Sequence, residues 1–333
     1  MKLKRIIPII GLIIMVGLFL ILTTQKSDSQ TDNVDVRLKW IHQAQFAGYY
    51  SADQEGYYET NNIDVNLNQG GVDFPSIQIV AGGKEQFGVT GADQILLARE
   101  KGVPIVAIAA IYQKTPISYM SLKETNITEP KDFIGKTIGI KTGRDSEIQY
   151  RAMMKKLELS TDAINEIPIK VDLSLFFDKK IDIWPSYVIN EPITVKNKGY
   201  DINLISPYDY GIQFYGDTLF TSEEMIKNNP DLVKRFVEST IKGWNYAYDN
   251  PQKAAKHTIV YSDRLDLDHE EKMMKASLDL LRKNNEQIGL MNKDTWQGMQ
   301  KVFLEQGTMK KTIDIDEVFT NQFIPEEKIN DTD

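Results

Sequence analysis

The sequence predicts an α/β protein, and three observations predict it. Short apolar or β-branched runs recur along the chain, as at residues 87–89 and 103–111. Stretches of helical period separate them, several closed by glycine, as at Gly82, Gly83 and Gly102. Strands that alternate with helices in this way imply a parallel core sheet. Finally, 333 residues with 41% hydrophobic and 26% charged content is ordinary globular material, long enough for two domains.

Taken in order, residues 34–40 alternate as a strand, 44–60 suit a helix, and 63–67 alternate again. Residues 75–81 read as a short helix stopped by Gly82 and Gly83, followed by a buried strand at 87–89. A helix over 91–101 ends at Gly102, and 103–111 is a long β-branched strand. A second cycle places strands at 118–122, 136–140, 166–171 and 182–184, with a capped helix at 128–133 and another helix at 146–157. Residues 207–225, PYDYGIQFYGDTLFTSEEM, suit a crossover, with strand character resuming at 218–221. Long helices follow, to residue 249 after an NNPD start, over 269–283, and over 295–306.

The first 33 residues are of different character. Lys2, Lys4 and Arg5 precede an apolar run over 6–22, and a polar tether occupies 26–33. A run of this length is at the short end of what spans a bilayer, and no small-residue cleavage site is obvious after it. The expectation is an N-terminal membrane anchor, or a signal segment if cleaved, that places the rest of the chain outside the cell membrane.

Composition excludes several function classes. With no Cys and three His, thiol nucleophiles and most transition-metal sites are removed. A net charge of −8 without long single-sign blocks argues against nucleic acid. An acid/base pair such as Asp182 and Glu191 lacks an accompanying nucleophile or metal cluster.

Candidate ligand contacts lie in loops after strands, where open α/β sheets hold ligands. Trp40, Phe46, Tyr49 and Tyr50 crowd into residues 40–50 beside His42, Gln43 and Gln45. Such rings stack on an aromatic heterocycle, and the amides read its ring nitrogens. Phe46 and Tyr50, four apart, equally suit a core-facing helix. In 141–147, KTGRDSE, Thr142 and Gly143 are contact candidates, with Asp145 or Ser146 a helix cap. In 181–192, IDIWPSYVINEP, Tyr187, Asn190 and Glu191 form a phenol, amide and carboxylate set. Asp93 and Asp217 complete the candidates.

The stretch 38–64, the segment VAGGKEQFGVTGADQILLAREKGVPIVAIAA at 80–110, and Asp182, Tyr187, Asn190, Glu191 and Pro192 in 181–192 together resemble the NMT1/THI5-like, or SsuA/THI5-like, solute-binding proteins of ABC importers. The resemblance implies a type II periplasmic-binding-protein fold: two α/β lobes around a ligand cleft, joined by two hinge crossovers. It divides the chain into the anchor at 1–33, a first lobe of 34–117 plus 216–323, a second lobe of 118–215, and a tail at 324–333. It further implies a monomer that needs no cofactor and delivers a thiamine-precursor-like pyrimidine, or a related heterocycle, to an ABC permease and its ATPase. Trp40 and Tyr187 would sandwich the ring, Glu191 and Asn190 read its amino edge, and Gln43, Asp93 and Thr142 complete the polar shell. An alternative is a ligand-sensing ectodomain that partners a membrane kinase or cyclase. Thiamine pyrimidine synthesis, an activity of eukaryotic family members, is disfavoured, because Thr90 and Gln94 stand where those enzymes have lysine and histidine and their cysteine run is absent.

Overall fold

The structure is a computed structural model that describes residues 31–282 and 287–326. The expected anchor run and most of its tether lie outside the described residues, as do residues 327–333 of the tail and the end of the helix expected over 269–283. Among the described residues no helix is long and apolar enough to cross a membrane.

The chain opens with β1 (Asp32–Arg37), whose Val34 and Val36 are buried. The single helix expected over 44–60 is broken in two, α1 (Ala47–Gln54) and α2 (Tyr57–Thr60). Gly56 between them adopts φ 69°, a left-handed conformation that stops a helix. There follow β2 (Ile63–Asn68), α3 (Ser76–Ala81), β3 (Phe87–Gly91), α4 (Ala92–Glu100) and β4 (Ile105–Ala110). The chain then leaves this group for β5 (Ile117–Leu122), β6 (Thr137–Ile140), α5 (Asp145–Lys156) and β7 (Asn165–Pro168). Where a capped helix was expected over 128–133 there is only a tight turn, Pro130–Phe133, held by the Glu129 and Asp132 side chains. The chain continues through α6 (Ser174–Phe177), β8 (Trp184–Tyr187), α7 (Glu191–Asn197) and β9 (Ile202–Ile205). It returns as β10 (Asp217–Ser222), and finishes with α8 (Glu223–Asn228), α9 (Pro230–Asp249), α10 (Pro251–Ile259), α11 (Leu267–Leu281) and α12 (Lys293–Gln306).

Five strands form the larger sheet in the order β2-β1-β3-β10-β4. β1 and β3 are parallel, but β10 runs antiparallel to both β3 and β4. The sheet is therefore not wholly parallel as expected, because β10 arrives from the other sheets rather than through a helical crossover. Beyond β4 lie a three-stranded antiparallel sheet, β8-β5-β9, and a parallel pair, β6-β7. A bridge between Ile138 and Ile183 ties that pair to the start of β8. The two connecting segments bond to each other where they pass: the amides of Ile111 and Tyr112 donate to the Asp217 carbonyl at 2.9 and 3.1 Å, and Gly216 donates to the Tyr112 carbonyl at 2.8 Å.

The main core lies between the larger sheet and α1, α9 and α11. α9 buries Val233, Phe236, Val237, Ile241, Trp244 and Ala247, the repeat of a helix with one apolar face. It crosses α1 closely: a Cβ on Gly48 would fall 2.0 Å from the Trp244 ring, and one on Gly243 would fall 2.3 Å from the Gly48 carbonyl. That contact fixes α1, and with it the turn that follows β1.

Candidate ligand-binding site

A cavity of about 510 Å³ opens beyond the carboxyl ends of β1, β6, β7 and β8, the position an open α/β sheet favours for a ligand. From the larger sheet it receives Lys39, Trp40, Gln43, Gln45 and Val72. From the other side come Lys141, Thr142, Arg144, Asp145, Ile169, Lys170, Val171, Tyr187, Asn190 and Glu191. A volume of this size suits a small organic molecule.

Lys39 organises the floor. Its ammonium donates to Asp145 Oδ2 at 3.0 Å, to Asp217 Oδ1 at 3.4 Å and to the Tyr187 hydroxyl, and it sits 4.9 Å from the Tyr187 ring centroid. Burial alone would depress the Lys39 pKa, but Asp145, Tyr187, Asp217 and Asp93 outweigh it and hold the pKa well above the usual lysine value. Burial likewise works against ionised Asp145, yet Lys39 and the Tyr187 hydroxyl bring its pKa below the usual carboxylate value. Asp93, in the first turn of α4, has no such direct bond to the ammonium; burial and then Asp145 push its pKa up to about 6. Burial also raises that of Asp217, against the pull of Lys39. Gly91 makes this grouping possible, since a Cβ there would fall 2.2 Å from Asp93 Oδ1.

A chain of side-chain bonds extends from the floor into the turn after β1. Gln43 donates to Gln45 Oε1 at 2.5 Å, and Gln45 donates to Asp217 Oδ2 at 2.6 Å. On the opposite wall, Glu191 accepts from Lys141 Nζ at 3.2 Å and from the Tyr187 amide at 2.9 Å. Asn190 Oδ1 faces His269 Nε2 of α11 at 3.3 Å, and among the described residues the Asn190 amide nitrogen keeps its donors for the cavity. At the rim, Arg144 and Lys170 make no ion pair among the described residues, and Val72 and Val171 are exposed. Among the described residues no group of three or more His, Asp and Glu side chains is arranged to hold a metal ion.

Six of the ten residues singled out from the sequence line the cavity: Trp40, Gln43, Thr142, Tyr187, Asn190 and Glu191. Tyr49 does not. It is 1% exposed and packs edge-on against Trp244, with ring centroids 5.6 Å apart, because α1 turns that face toward α9. Phe46 and Tyr50 are likewise core residues, Tyr50 stacked on Tyr261 at 4.2 Å. Gly143 is off the wall as well: it takes φ 72°, and its amide donates to Glu147 Oε2 at 2.8 Å. Asp93 and Asp217, each 2% exposed, sit behind Lys39 rather than on the surface of the cavity. The Lys39 ammonium sits at the hydroxyl end of the Tyr187 ring, bonded to its oxygen. Nothing local in the sequence marks Lys39, and Asp145, its partner in the central pair, suits a helix cap by sequence alone. A lysine at the polar position closing an alternating strand carries no signal of its own until its partners, more than a hundred residues away, are placed.

A family model described as NMT1/THI5 like matches residues 43–254. The riboflavin-binding protein RibY of Chloroflexus aurantiacus is 25% identical, over 88% of this chain and 86% of that protein. The formylaminopyrimidine-binding protein of Halalkalibacterium halodurans is 23% identical, over 82% and 85% respectively. Among solved structures, the periplasmic aliphatic sulphonate binding protein SsuA of Escherichia coli superposes with a TM-score of 0.68 at 12% identity, over 86% of this chain and 91% of that one. The fold is thus the type II periplasmic-binding-protein fold, as the sequence resemblance implied. With its model matched across well over half of its length, the chain belongs to the NMT1/THI5-like family.

Proposed function

We propose that this protein is an extracytoplasmic solute-binding protein that holds one small aromatic heterocycle, a thiamine-precursor-like pyrimidine, and passes it to an ABC permease with its ATPase. The observation that carries this reading is the cavity itself. It combines an aromatic wall at Trp40 with donors and acceptors at Gln43, Asn190 and Glu191, and its size fits a single small ring system. Two relatives with wide coverage are named for binding riboflavin and formylaminopyrimidine, both nitrogen heterocycles, which supports the same solute class.

In this reading the ring stacks on Trp40 and meets the ring of Tyr187. Glu191 and the Asn190 amide take its polar edge, and Gln43 and Thr142 lie beside it. The larger sheet and its helices, residues 34–117 and 216–323, act as one lobe and residues 118–215 as the other, closing over the solute about the paired segments near Tyr112 and Gly216. Residues 1–33 tether the monomer outside the membrane, or are removed to release it.

Binding rather than catalysis is favoured at the positions where the synthases of the family keep lysine and histidine. Thr90 is 7% exposed within β3, and Gln94 donates to Asp93 at 3.1 Å. Thermal unfolding of the full chain against a panel of thiamine, its hydroxymethyl- and formylamino-pyrimidine precursors, riboflavin and taurine tests the reading. A solute present at about 100 times its dissociation constant stabilises the fold by about 2.7 kcal/mol, a readable shift in Tm. A shift with a pyrimidine supports the proposal; a shift with taurine alone overturns the solute class, and no shift with any heterocycle overturns the reading.

A further inference from the structure

The floor of the cavity contains the two features that would ordinarily capture an anion, a lysine ammonium and the start of a twelve-residue helix, α5. The ammonium is already satisfied by the protein, and the helix start is met in part. Asp145, the first residue of α5, accepts from its neighbour's amide, Ser146 N, at 2.9 Å with one carboxylate oxygen and from Lys39 and Tyr187 with the other. The Lys39 ammonium has three N–H groups, and its three partners, Asp145, Asp217 and the Tyr187 hydroxyl, match them. Two nearby amides are committed too: Gly143 N to Glu147 and Arg144 N to the Lys141 carbonyl.

We propose that Asp145 is a specificity-determining residue, whose carboxylate occupies the place a solute's anionic group would take between Lys39 and α5. The cavity then rejects sulfonates, phosphates and carboxylates and admits a head that donates hydrogen bonds. This rests on the solute-binding reading above and narrows its ligand class by charge.

Two counts lead to this conclusion. The first is charge. One ammonium faces Asp145, Asp217 and Asp93, so an entering anion would meet net negative charge in a buried setting, where like-charge contact is costly. The second is hydrogen-bond capacity. Lys39 has no donor left, and Lys141 gives one of its three N–H groups to Glu191, whereas Asp145 Oδ1 and the two Glu191 oxygens each accept a single bond and keep a lone pair. Of the cations lining the cavity, Arg144 and Lys170 are exposed at its rim, where water and salt screen them. At the Lys39–Asp145 pair an aminopyrimidine edge supplies donors to the open carboxylate lone pair; a sulfonate supplies only further acceptors to an ammonium with none of its N–H groups free.

The test is calorimetric titration of the full chain with three probes: 4-amino-5-hydroxymethyl-2-methylpyrimidine, its phosphate ester, and ethanesulfonate. The proposal expects the neutral pyrimidine to bind at least about 30-fold more tightly than either anion. Asp145→Asn, which preserves side-chain volume, removes the competing charge and raises affinity for the phosphate ester or the sulfonate by about tenfold. Equal or tighter binding of an anion to the unaltered protein overturns the proposal while leaving solute binding intact. So does a folded Asp145→Asn protein with no gain toward either anion. Should that variant fail to fold, the ranking of the three probes by the unaltered protein decides the matter alone. Silence toward all three probes would remove both this proposal and the pyrimidine reading beneath it.

Discussion

The floor and the rim of the cavity both carry charge, but in opposite ways. At the floor, Lys39 is bonded to one carboxylate at the start of α5 and to another at the start of β10, and its three N–H groups are all matched. At the rim, Arg144 and Lys170 stand in solvent beside the exposed Val72 and Val171. Charges held in place and shielded from water discriminate among solutes, because any displacement exposes an unpaired buried ion. Charges free in water only bias the approach of a ligand. Selectivity should therefore reside in Lys39, Asp145 and their partners, and the rim should be tolerant of change.

The largest expected effect comes from breaking the floor directly. Lys39→Met leaves Asp145 and Asp217 buried without their cation, and should destabilise the fold by about 3–5 kcal/mol in urea unfolding. A loss below about 1 kcal/mol would mean that the ion pairs are solvated and the contrast with the rim is false. Next in size, Trp40→Ala should weaken heterocycle binding at least about tenfold while leaving the unfolding midpoint nearly unchanged, because Trp40 is only partly buried and belongs to the cavity wall.

A buried carboxylate with no nearby cation sharpens the comparison. Glu270 of α11 is 2% exposed and accepts from the Ala44 amide at 2.5 Å. Burial pushes its pKa up to about 7, whereas that of Asp145, beside Lys39, is lowered. The signs are opposite. Glu270 binds a proton more tightly in the folded state, so its contribution to stability is present at low pH and is lost as pH rises from about 4.5 through about 7. The contribution of Asp145 is present above the unfolded carboxylate pKa and is lost as pH falls through its lowered folded value. Glu270→Gln should accordingly stabilise the protein at pH 8 by about 1–3 kcal/mol and by less at pH 5, read from denaturant midpoints at the two values. Equal effects at both would show that Glu270 does not titrate in this range. The smallest effect is expected at the rim: Arg144→Ala should change stability by no more than about 0.5 kcal/mol.

The same contrast governs how far the sequence could be read. Strand and helix signals are local, so β1, β3, β4 and α9 lie close to where periodicity and glycine stops put them. The family motifs led to Trp40, Tyr187, Asn190 and Glu191, all of which line the cavity. What escaped was non-local. The direction of β10 depends on a return from other sheets, and the helix expected over 44–60 yielded at a single glycine, Gly56. Tyr49 shares its local composition with Trp40, and only the approach of α9 determines that one faces core and the other the cavity. Lys39 and Asp145, 106 residues apart, have no common signature in one sequence.

The central claim is that this cavity holds one donor-bearing aromatic heterocycle against Trp40. Calorimetric titration of the full chain and of Trp40→Ala with 4-amino-5-hydroxymethyl-2-methylpyrimidine tests it most directly. The account predicts saturable binding of one solute per chain, weakened at least about tenfold by the substitution. No binding by the unaltered chain, or equal affinity in the two proteins, would contradict it.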